Sequence, residues 1–128
     1  MEYYINKIIK SSFDDAVKLV KESLNNEGFG VLTEIDIHEK LKEKLYLDFR
    51  KYKILGACNP AFAYQALQQE NKIGTMLPCN VIIQELGSNE IEIAAVDPVA
   101  SMQAVKNQEL EGIANEVKEK LSRVINSI

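Results

Sequence analysis

The feature that most constrains this chain is a hairpin signal near its end. Val81-Ile82-Ile83 is a short β-branched run, and Glu90-Ile91-Glu92-Ile93 alternates charged and apolar residues. Between them lies Gly87-Ser88-Asn89, a turn sequence. Two strands joined that closely must run antiparallel, because a parallel pair needs a crossover of a dozen residues or more. The sheet is therefore not a purely parallel one.

The rest of the chain can be read outward from that pair. Tyr3 to Ile9 is rich in aromatic and β-branched residues and predicts a first strand. Ser11 and Ser12 offer caps for a helix over residues 12–27, whose Phe13, Ala16, Val17, Val20 and Leu24 fall on one face. Gly28 is its natural stop. Phe29 to Ile35 predicts strand two, and Ile37, Leu41 and Leu45 suggest a short second helix. Tyr52 to Ala57 predicts strand three.

Asn59-Pro60 then starts a third helix that continues through Ala61 to Gln69. The amide caps, and proline follows where the missing N–H costs nothing. Gly74 marks a loop. Asp97-Pro98 repeats the cap-then-proline pattern, and a last helix carries Leu110, Ile113, Val117, Leu121, Val124 and Ile128 at helical spacing.

The order is β-α-β-α-β-α-β-β-α. One arrangement uses every helix as a crossover in a parallel sheet. The other is an α+β fold: a curved, mostly antiparallel five-stranded sheet packed by the long first and last helices, with short helices between strands two, three and four. The closing hairpin and the short middle helices favour the second. The 128 residues suit a single domain.

Composition excludes several functions. Net charge is −4 with no Lys/Arg-rich run, against the basic stripe that neutralises phosphates, so no nucleic-acid partner is expected. The amino terminus lacks a basic start followed by an apolar stretch, and no apolar run is long enough to span a bilayer. A cytoplasmic location and no membrane partner are the expectation. Two cysteines are too few for a disulfide scaffold or an all-Cys zinc site, so both are expected to be free thiols.

Antiparallel order has a consequence for chemistry. Strand three ends at Cys58, strand four starts at Cys79 and strand five ends at Asp97, so Cys58, Asn59, Cys79, Asn80 and Asp97 should meet at one edge. His38, the single histidine, belongs to the opposite edge. That disfavours a Cys-His nucleophile, which needs the two groups in contact. Cys58, Cys79 and Asp97 could supply three zinc ligands, and a soft ion such as copper(I) would fit two sulfurs somewhat better. Cys58 precedes the cap of helix three, where the helix N-terminus favours negative charge. That suits a reactive thiol or a bound carboxylate or phosphate.

Each of these residues also has a plainer role. Free cysteines commonly pack as small core residues. Asn59 and Asp97 are explained as caps. Asn80 has no capping role, so it should find buried partners or face a pocket. Gly28-Phe29-Gly30 lies between a helix and a strand, the reverse of a dinucleotide-binding turn. Tyr64 could line a cleft or simply pack.

The phrases Ile54-Leu55-Gly56-Ala57-Cys58-Asn59-Pro60 and Ile73-Gly74-Thr75-Met76-Leu77-Pro78-Cys79-Asn80-Val81 resemble those of the domain of unknown function 302 family. Gly28-Phe29, Thr33-Glu34-Ile35-Asp36 and Val96-Asp97-Pro98 match it too. The resemblance spans nearly the whole chain. It implies a fold similar to the TATA-box-binding-protein-like fold, often dimeric, and no established activity.

The expectation is a ligand-binding site at Cys58, Asn59, Cys79, Asn80 and Asp97, taking a small anionic ligand or a soft metal. Thiol redox chemistry by Cys58 and Cys79 is the alternative, and a structural homodimer is the third. Nothing assigns catalysis or a cofactor.

Overall fold

The computed structural model describes residues 2–128. The elements are β1 (Tyr4–Lys10), α1 (Phe13–Asn26), β2 (Gly30–Asp36), α2 (Ile37–Leu45), β3 (Tyr52–Cys58) and α3 (Pro60–Gln69). A 3-10 turn (Ile73–Met76), β4 (Cys79–Gly87), β5 (Glu90–Val96), α4 (Pro98–Ser101) and α5 (Gln108–Asn126) follow. The five strands make one open sheet in the order β1-β5-β4-β3-β2, and every neighbouring pair is antiparallel.

The hairpin between β4 and β5 turns at Ser88 and Asn89, with Asn89 at φ 55, a left-handed conformation that asparagine tolerates. Ser12 caps α1 by accepting from the Asp15 N–H. Two details differ from the sequence expectation. Gly74 lies inside the 3-10 turn rather than a plain loop. Asp97-Pro98 opens a separate four-residue helix, α4, before α5 begins at its own cap, Asn107.

Strand alternation gives the sheet two unlike faces. On the inner face Leu55, Val81, Ile83, Ile91, Ile93 and Ala95 are fully buried. The apolar stripe of α1 (Ala16, Val20, Leu24) and that of α5 (Leu121, Val124, Ile125) close over them. Each buried Val, Leu or Ile among them contributes about 1.5–3 kcal/mol. The two long helices also meet through Ser23, whose Oγ donates to the Val124 carbonyl at 2.8 Å. On the outer face the register aligns Ile35, Ile54, Ile82 and Ala94 in one row across β2 to β5. A polar row beside it joins Asn6, Glu92, Gln84 and Arg50 by hydrogen bonds.

Among the described residues, no helix is long and apolar enough to cross a membrane.

Candidate functional site

The antiparallel register carries the two Cys-Asn phrases to the same end of the sheet. Ala57 pairs with Cys79, so the last residues of β3 lie beside the first of β4. Val81 pairs with Ala95, which brings the end of β5 alongside. The chain leaves β3 into α3 and β5 into α4, and both exits use the same chemistry. The Asn59 Oδ1 accepts from the Phe62 N–H at 3.5 Å, and Pro60 follows in the first turn. Asp97 Oδ1 accepts from the Val99 and Ala100 N–H groups at 2.9 and 3.3 Å, and Pro98 follows.

These exits open an apolar cleft of about 40 Å³. Ala57, Cys58 and Cys79 form its sheet side, and Leu77 and Pro78 one wall. Phe62 and Ala66 of α3, Pro98 and Met102 around α4, and Ile113 and Val117 of α5 line much of the remainder. The exposed surface inside it is wholly apolar. The Leu77–Pro78 peptide bond is cis. Close contacts fix the rim: a Cβ on Gly56 would stand within 2.8 Å of the Pro78 ring, and Gly28, at φ 84, lies under the Asn59 side chain.

Both thiols are free; Cys79 is buried and Cys58 half-buried. Burial pushes the Cys79 thiol up to about 11, and the nearby Cys58 adds to the rise. A neutral thiol in apolar surroundings behaves as a small core side chain. Ala57 and Cys79 share one inward-facing row, and Cys58, the last residue of β3, lines the same cleft beside them.

Of the five residues expected to converge, Cys58, Asn59 and Cys79 line the cleft. Asp97 is at the same end but is used up elsewhere. Besides its two capping bonds, it holds Lys118 Nζ at 2.9 Å, and its own N–H donates to the Tyr3 carbonyl. Asn80 faces the other way. It is exposed on the outer face, beside a separate shallow groove bordered by Tyr4, Tyr52 and Glu92.

His38 is at the opposite end of the sheet, where its Nδ1 accepts the Tyr52 N–H at 3.0 Å and its ring meets Phe13 edge-on. Cys58 is five positions along β3 from Lys53, which is opposite Asp36, a distance of roughly 16 Å along the strand. Among the described residues no cluster of three or more His, Cys, Asp or Glu could hold a metal ion. With Asp97 committed to Lys118 and backbone donors, the two sulfurs have no third His, Cys, Asp or Glu ligand among the described residues. Tyr64 is exposed and does not line the cleft.

Sequence reasoning missed most of the apolar wall. Phe62 and Ala66 lie one turn apart on α3, as do Ile113 and Val117 on α5, and that spacing was the available signal. It reads equally as core, because the cleft is an unfilled part of the same apolar layer.

The comparisons agree with this architecture. The chain matches the family "Domain of unknown function DUF302" over residues 5–128. It is similar to a crystal structure of an uncharacterized conserved protein DUF302 from Bacillus stearothermophilus. The identity is 27%, the match covers 98% of each chain, and the TM-score is 0.91. No curated protein matches it. With the family matched across almost its full length and the same fold in that structure, the chain belongs to the DUF302 family.

Proposed function

We propose that this chain is a binding module that takes the apolar end of a small molecule into the cleft between β3, β4, α3 and α5. The observation that carries the proposal is the cleft itself: an opening with wholly apolar exposed walls, at the sheet end where both Cys-Asn phrases meet. Apolar sites with a few polar groups at the mouth are the usual form of small-ligand pockets. A volume of about 40 Å³ holds a short alkyl group, not a large ring system.

The N-terminus of α3 borders the cleft, and its cap bond to the Phe62 N–H is long at 3.5 Å. Such a terminus suits a carboxylate. The ligand class is therefore a short-chain acid or its uncharged analogue. Thiol exchange between Cys58 and Cys79 has less support, because burial holds Cys79 in its neutral form.

Amide NMR titration with isobutyrate and with isobutanol tests the proposal. Shifts confined to α3, α4 and the middle of α5 are expected with both, larger near Phe62 with the acid. Ala63 also lines the cleft, so Ala63→Leu should fill it and remove the response. Absence of shifts with either compound, or an unchanged response in the filled variant, overturns the proposal.

A second reading, a homodimer through the outer sheet face, is favoured by the apolar row Ile35, Ile54, Ile82 and Ala94. Sedimentation equilibrium of the wild type and of Ile82→Lys decides it. A dimer that the substitution dissociates supports the reading, and a wild-type monomer removes it.

A further inference from the structure

The most exposed apolar stretch of the molecule is neither in the cleft nor on the sheet. It is the end of α2 and the chain that follows. Residues 42–51 are exposed without interruption, and no residue of α2 is buried. Within five positions lie Leu45, Tyr46, Leu47 and Phe49, exposed by 58, 85, 53 and 41%. Phe49 meets the Tyr52 ring and Arg50, yet all four keep a large part of their surface in water. Tyr46 ends α2 in a left-handed conformation, φ 56, with most of its surface in water.

Charge surrounds this apolar tip. Residues 39–51 carry Lys40, Lys42, Lys44, Arg50 and Lys51 against Glu39, Glu43 and Asp48. That is a net +2 in a chain whose total is −4, which leaves −6 on the rest. Lys40 pairs with Glu43 and Lys42 with Asp48. Arg50 lies over the Phe49 ring and holds Gln84, while Lys51 lies over Phe13. The cationic character is therefore local and opposite in sign to the remainder of the chain.

We propose that residues 39–51 dock on an anionic phospholipid surface, with Leu45, Tyr46, Leu47 and Phe49 entering the interface and the basic side chains meeting the headgroups. Short apolar insertion with a surrounding cationic rim is the combination that holds amphipathic segments at such surfaces. The lack of a spanning helix does not bear on it, since surface contact needs no 20-residue apolar run.

Two points favour lipid over protein. A two-fold contact between copies through this patch would set +2 against +2, because an isologous interface meets itself. The apolar groups also sit on an exposed tip rather than in a groove, so they suit a medium that yields around them.

Co-sedimentation of the full chain with vesicles tests this. Phosphatidylcholine vesicles are compared with vesicles holding roughly 30% phosphatidylserine. Binding to the anionic vesicles alone is expected, with release in about 0.5 M salt. Leu45→Ser with Leu47→Ser, and separately Lys44→Glu with Lys51→Glu, should each weaken it about tenfold or more. All four side chains are exposed, so both variants should keep the wild-type melting temperature, and Tyr46→Ser offers an independent third.

No sedimentation with anionic vesicles overturns the proposal, as does equal binding to neutral ones or full binding by the folded variants. A wild-type dimer that the leucine variant converts to monomer also overturns it, and makes a second copy the occupant.

Discussion

Gly56 lies directly beneath Pro78. A Cβ on Gly56 would stand 2.8 Å from the Pro78 Cγ and 2.2 Å from the Thr33 Oγ1. Glycine here is required by close approach of two side chains, Thr33 of β2 and Pro78 just before β4, not by its backbone angles. Gly56→Ala should destabilise the fold by about 1–3 kcal/mol, the usual cost of overpacking. Urea denaturation checks it. Adding Thr33→Ala should recover only part of the loss, because the proline ring cannot rotate away.

The two thiols should differ in reactivity. With its thiol pushed up to about 11, Cys79 is thiolate in only about one molecule in a thousand at pH 8. A chromogenic disulfide reagent at pH 8 should titrate Cys58 promptly and Cys79 only on unfolding. Two equally fast thiols would contradict the burial of Cys79.

The same shift predicts a loss of stability in alkali. The folded value of Cys79 lies above the ordinary value of 9.0, so the neutral thiol favours the folded state. Its contribution is complete below pH 9 and is lost as pH rises toward about 11. Burial alone would lower Lys53, but Glu34 and Asp36 together outweigh it and raise the group; its contribution also disappears at high pH. The urea midpoint should fall across this window, and Cys79→Ala should flatten the earlier part of the fall.

At low pH the relevant group is Glu34, hydrogen-bonded to Lys21 at 2.7 Å and Lys53 at 3.1 Å. Those bonds hold its carboxyl below the usual 4.5. The stabilisation is present above that value and is lost as pH falls through the lower folded one. The pair is partly exposed, so the effect is small, about 1 kcal/mol or less. Glu34→Gln should reduce the acid slope of the urea midpoint, and added salt should reduce it in the wild type.

Asp97 separates a structural role from a binding one. Asp97→Ala removes the cap of α4, at a cost of about 1–2 kcal/mol, and leaves Lys118, which is partly exposed, to water. Asp97→Asn keeps a capping oxygen and should cost less. Because Asp97 is not on the cleft wall, the asparagine variant should keep the isobutyrate response in the NMR titration. Loss of that response in a folded variant would place Asp97 in the site.

The sheet could be read from the sequence because its signals are local. The turn at Ser88-Asn89 fixes one antiparallel pair, and the cap-proline pairs at Asn59 and Asp97 fix two strand ends. Those ends are what bring Cys58 and Cys79 together. What remained hidden depends on which way a side chain points. Asn80 follows Cys79 immediately, yet alternation sends it to the other face, so adjacency in a motif was misleading. Asp97 is near in space but its acceptor capacity is occupied by Lys118, a partner that no spacing rule supplies. The cleft wall was hidden for a different reason: a cavity is missing volume, and helical spacing looks the same whether or not the layer is filled.

The pairing of β1 with β5 has a consequence for synthesis. Asn6 and Glu92, bonded across these two strands, are 86 residues apart. β1 therefore waits for β5, the last strand of the sheet, before it can hydrogen-bond, and until then it presents an unpaired edge. Long-range closure of this kind slows folding relative to local hairpins and helices. A nascent chain arrested before Glu90 should hold α1 against β2, β3 and β4 with β1 still accessible to protease, and release of the remaining segment should protect it in a single step.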